Sequence, residues 1–67
     1  MDIKLYLSLK EDIMGELIDK YQLNLETIRE VLEVNKFRER FKDNHEQFEY
    51  MEAEEIAQEF YKTYLIK

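Results

Sequence analysis

Cysteine and proline are missing from these 67 residues, Gly15 is the only glycine, and histidine occurs once, as His45. Without cysteine there are no disulfides and no thiolate metal sites. One imidazole excludes the zinc arrangements that need several. One glycine cannot build a phosphate-cradling loop. It also leaves type I′ and II′ hairpins without their usual residues, which disfavours an all-β fold. No apolar run approaches the ~20 residues that cross a bilayer. The start, Met1-Asp2-Ile3-Lys4, lacks the basic and apolar regions of a secretory signal, so a cytoplasmic protein without membrane contact is expected.

These absences throw stability onto apolar packing, self-association or a partner. A chain this short buries only about 60% of its unfolded surface. Hydrophobic residues form 45% of it and aromatics 13%, which is enough for a core. The 39% of charged residues alternate with apolar ones, the pattern of a folded amphipathic domain rather than a disordered acidic tail. There is no repeat, linker or low-complexity stretch, so residues 1–67 read as a single small helical domain.

Ile3, Leu5 and Leu7 alternate with Lys4 and Tyr6, a period of two that predicts an extended segment over residues 2–7. Ser8-Leu9-Lys10-Glu11 then matches a capping box and predicts a helix from about Leu9 to Tyr21. Ile13, Met14, Leu17, Ile18 and Tyr21 share its apolar face. Asn24 is a good N-cap for a second helix carrying Leu25, Ile28, Val31 and Leu32, which ends near Val34. The stripe breaks at Asn35, so Lys36–Lys42 reads as a short third helix, with one kinked helix as the alternative. Phe48 and Tyr50 alternate with their neighbours over 47–51 and form a second extended candidate. From near Glu52, a last helix turns Ala53, Ile56, Ala57, Phe60, Tyr61 and Tyr64 to one side. Glu52, Glu55, Gln58, Glu59 and Lys62 take the other. The fold class is mainly α: a compact three- or four-helix single domain, with a minimal two-stranded β element from 2–7 and 47–51 as an optional addition.

No arrangement of residues points to catalysis. General acid–base work needs a cleft that shifts pKa values, whereas Glu52, Glu55 and Glu59 fall on a predicted solvent face. Ser8 is the sole serine, and its capping position leaves a nucleophilic role unsupported. His45 sits in the turn-like Asp43-Asn44-His45-Glu46 cluster and reads as a surface residue, not a ligand. No catalytic residue, cofactor, metal or small-molecule substrate is assigned.

Charge is distributed unevenly. Residues 1–22 carry a net −2, residues 23–43 a net 0 and residues 44–67 a net −4, within a total of −6. The acidic end supports a non-catalytic regulatory or adaptor protein that binds another protein, or a second copy of itself, through an acidic helical surface. Glu49, Glu52, Glu55, Glu59, Tyr61 and Tyr64 are the candidate binding residues, with charge complementarity steering a basic partner. Phe37 and Phe41 belong to the core or to such an interface.

The alternative is a helix-turn-helix-like DNA-binding module. Lys36, Arg38, Arg40 and Lys42 cluster around Phe37 and Phe41 in a third helix, the place of a recognition helix. Against it, a net charge of −6 opposes approach to a polyanion. In the plainer reading the two phenylalanines enter the core at i, i+4 and the cations pair with the acidic helix.

Overall fold

In the computed structural model, which describes residues 2–66, the first helix starts five residues before Ser8. α1 spans Ile3–Tyr21, and Asp2 caps it by accepting the Leu5 N–H at 3.1 Å. The extended segment expected over 2–7 is therefore helical. Its alternation was the weaker of two overlapping patterns, because Tyr6, Leu9, Ile13 and Leu17 also recur at helical spacing. That second stripe faces the core, while Ile3, Leu5 and Leu7 are exposed. Ile18 lies 43% exposed, at the edge of the face rather than in it.

α1 closes in a Schellman-type turn. Gln22 takes the left-handed conformation (φ 54°), its N–H bonds the Ile18 carbonyl, and the Leu23 N–H reaches back to Leu17. This satisfies carbonyls that the helix end would orphan. Asn24 then caps α2, Leu25–Val34, by accepting the Thr27 N–H at 2.8 Å. Ile28, Val31 and Leu32 are buried from it.

The break at Asn35 is complete. Lys36 adopts φ 52°, turning the chain into α3, Phe37–Asn44. These are two helices, not one kinked one. A single helical turn, α4, Glu46–Glu49, follows His45 and replaces the second extended segment. Phe48 is buried from this turn, whereas Tyr50 is 92% exposed. Both segments proposed for a β element are thus helical or turn, and no strand occurs among the described residues. α5 spans Ala53–Ile66 and buries Ile56, Ala57 and Phe60.

α5 packs chiefly against α1 and also against α2, giving a body of 28 × 22 × 20 Å. Phe37 sits at the centre of an aromatic cluster. Its ring meets Tyr6 at 5.3 Å, Phe48 at 5.4 Å and Phe60 at 5.7 Å between centroids. Such pairs add to area burial through edge and face electrostatics.

Asn35 is the one buried polar side chain among the described residues, 7% exposed. Its Nδ2 donates to the Val31 carbonyl at 2.8 Å and to the Phe60 carbonyl at 2.9 Å. The second bond joins the α2–α3 corner to the middle of α5. Asn35→Ala removes both donors and is expected to cost about 1–3 kcal/mol, with a Tm fall on the order of 4–8 °C per kcal/mol. Asn35→Asp puts an acceptor against two carbonyls and is expected to melt lower still. Thermal unfolding followed by circular dichroism checks the order wild type, Ala, Asp.

Candidate functional site

Phe37 and Phe41 are 1% and 2% exposed. They are core residues, as the plainer reading expects, and neither is available as an interface side chain. The cations around them separate into two kinds. Arg40 is exposed but lies over the edge of the core: its guanidinium carbon is 5.3 Å from the Phe48 ring centre and 5.6 Å from that of Phe60. Its Nε donates to Gln47 at 3.1 Å and its Nη1 to the Asn35 carbonyl at 3.5 Å, while Gln47 donates back to the Arg40 carbonyl. Arg40 thus covers the Asn35–Phe60 junction. Arg40 is exposed, as are Lys36, Arg38 and Lys42, and differs from them in the hydrogen bonds its side chain makes within the chain.

The expected pairing of α3 cations with the acidic helix is also absent among the described residues. The ion pairs there are Lys20 with Glu16 and Glu54, and His45 with Glu49. Glu54, rather than the outer glutamates, ties α5 to the last turn of α1.

The acidic candidates do not form one continuous row. Glu49 lies in α4 and faces His45 at 3.3 Å, and the non-helical stretch around Met51 separates it from α5. Glu52, Glu55 and Glu59 are exposed. The Glu55 carboxylate accepts the Glu52 N–H at 3.3 Å, a backward cap at the start of α5. No cation of the described residues forms an ion pair with any of the three. Tyr61 stacks on Tyr21 at 4.3 Å and beside Tyr64 at 6.5 Å, and Tyr64 donates to Glu30 at 3.1 Å. Both tyrosines are half-buried and join α5 to α1 and α2, and at 100° per residue they project from the side of α5 opposite Glu55 and Glu59, so they are not part of the acidic patch.

The chain matches no protein-family model, no curated protein and no solved structure.

A further feature combines side chains that lie far apart in sequence. Between α1, α2 and α3 runs an open groove of about 650 Å³. Tyr6 and Met14, both half-buried, give it apolar surface over a floor closed by the buried Ile28, Leu32 and Phe37, and Lys10, Arg29 and Arg38 line it together with Glu33 and Glu39. Lys10 and Arg29 were not sequence candidates, because neither belongs to a local cluster of cations and only tertiary packing brings them to the same groove as Arg38. No group of three or more His, Cys, Asp or Glu among the described residues is arranged to hold a metal.

Two groups titrate away from their ordinary values. Lys20 is raised above 10.5, chiefly by its bond to Glu54, and Tyr64 is raised above 10.0, chiefly by its bond to Glu30. In both cases folding favours the protonated form. The stabilisation is complete below the unfolded value and is lost as pH rises through the folded value. Wild type is therefore expected to lose stability above about pH 10, and Tyr64→Phe should lose less there. Urea midpoints at pH 8 and pH 11 measure the difference.

Arg40→Leu is expected to lower stability by roughly 1 kcal/mol, whereas Lys42→Ala changes it by less than about 0.5. Chemical denaturation of the two variants separates the structural cation from the surface one.

Proposed function

We propose that this chain is a non-catalytic regulatory or adaptor protein that binds another protein through the acidic outer face of α5. The observation that carries this reading is the state of Glu52, Glu55 and Glu59: exposed, and not ion-paired with any described cation of the chain. The uncompensated carboxylates of Glu55 and Glu59 on α5, with that of Glu52 just before its first residue, give a directional negative field, which speeds encounter with a basic surface and selects against acidic ones. Glu49, paired with His45, flanks this patch. Tyr61 and Tyr64 support it from beneath. A cytoplasmic setting belongs to the same reading, and the absence of cysteine is compatible with it.

DNA binding is the second reading, and Lys36, Arg38 and Lys42 favour it, being exposed and without ion pairs among the described residues. It is weaker because Arg40 is engaged with Gln47, the Asn35 carbonyl and the Phe48 and Phe60 rings, and because of the overall charge of −6. A gel shift on mixed-sequence duplex across a salt series decides it: phosphate binding weakens steeply with salt.

For the first reading, Glu52→Gln, Glu55→Gln and Glu59→Gln together remove charge while keeping a cap-competent side chain at 55. Proteins cross-linked to wild type at low salt should be lost with the triple variant and with rising ionic strength. Retention of the same proteins by both would contradict it.

A further inference from the structure

Charge and apolarity are arranged around the α1–α2–α3 groove in the opposite sense to α5. Its cations come from three helices, Lys10, Arg29 and Arg38, and outnumber its carboxylates, Glu33 and Glu39. Neither Arg29 nor Arg38 forms an ion pair among the described residues, and Lys10 rests over the Tyr6 ring at 5.8 Å. This is a locally positive site on a chain of net −6. Between the cations the apolar surface comes from Tyr6 and Met14, both half-buried, with the buried Leu32 and Phe37 behind them.

The apolar surface continues past the groove. Leu25, on its α2 side, is 65% exposed. On α1, Leu7 and Ile18 lie within about 40° of Met14 around the helix axis, and they span roughly 16 Å along it. Both are exposed. An apolar strip about three turns of helix long, with cations beside it, is larger than a compact small molecule needs. It also lacks the polar floor that a phosphate backbone would require.

The geometry points to a second docking surface, in which this groove receives an acidic amphipathic helix of a partner protein. Large apolar side chains at i, i+3 or i+4, and i+7 of that helix fill the space over Tyr6, Met14 and Leu32, as in other helix-in-groove complexes. Its flanking carboxylates meet Lys10, Arg29 and Arg38. Glu33 and Glu39 reject helices with basic flanks, so the sign of the partner's charge is selected as well as its apolar pattern. The surface is distinct from the α5 patch and does not depend on it.

The test uses the full chain, ¹⁵N-labelled, titrated with three synthetic 18-residue peptides. One carries leucine and phenylalanine at helical spacing among glutamates, the second is its scrambled sequence, and the third replaces glutamate by lysine. Expected are saturable shifts of the Lys10, Met14, Arg29 and Arg38 amides with the first peptide only. Arg29→Glu with Arg38→Glu should weaken that binding at least tenfold, with an unchanged circular dichroism spectrum and melting temperature. Glu59→Gln should leave it unchanged. The proposal is overturned by an absence of shifts at millimolar peptide, or by equal binding of the scrambled peptide, which would reduce it to bulk charge. It is also overturned if the same amides shift with the protein's own concentration, since the occupant would then be a second copy.

Discussion

The bond from the Asn35 side chain to the Phe60 carbonyl is the constraint on which the arrangement of helices rests. Burying an amide costs free energy unless both its hydrogens find acceptors. Here they do so only if the α2–α3 corner lies against the middle of α5. An apolar side chain at that position would tolerate many packings. An asparagine tolerates one. Arg40 closes the same junction from outside, lying over the Phe48 and Phe60 rings and bonding the Asn35 carbonyl. A chain too small for a large core thus gains definition from a short polar cluster set among its aromatics.

This use of Arg40 shapes what the surface can do. A basic segment that looks uniform in sequence is divided by folding: all four cations are exposed, but Arg40 is also bound to Gln47, the Asn35 carbonyl and the Phe48 and Phe60 rings. The acidic residues divide too. Glu54 is held by Lys20, Glu49 by His45 and Glu30 by Tyr64, which leaves Glu52, Glu55 and Glu59 as the uncompensated face of α5. Of Lys36, Arg38 and Lys42, Arg38 lies beside Lys10 and Arg29 over an apolar groove. The molecule therefore presents two electrostatic surfaces of opposite sign, and each is legible only after the internal pairs are subtracted.

Much of the fold was legible beforehand, for local reasons. Asn24 caps α2, Asn35 marks the break, Phe37 and Phe41 enter the core together, and the face of α5 follows its period. Capping and amphipathic periodicity act within a few residues, and sequence displays them directly. The misreadings fell where two periods overlap. Ile3, Leu5 and Leu7 alternate like a strand, yet Tyr6, Leu9, Ile13 and Leu17 recur like a helix, and the second set reaches the core. Phe48 and Tyr50 suggested a strand from two aromatics, only one of which is buried. The contacts of Asn35 and Arg40 with the Phe60 region, and the meeting of Lys10 with Arg29 and Arg38, join residues far apart in the chain, which no local pattern encodes.

The most direct test of this account is hydrogen exchange at the Asn35 side-chain amide, followed by NMR. Two bonds to buried carbonyls predict protons that exchange as slowly as the core backbone amides of α2 and α5, released only by global unfolding. Exchange at the rate of a solvent-exposed asparagine would contradict it, and would leave the α2–α3 corner held to α5 by apolar contact alone.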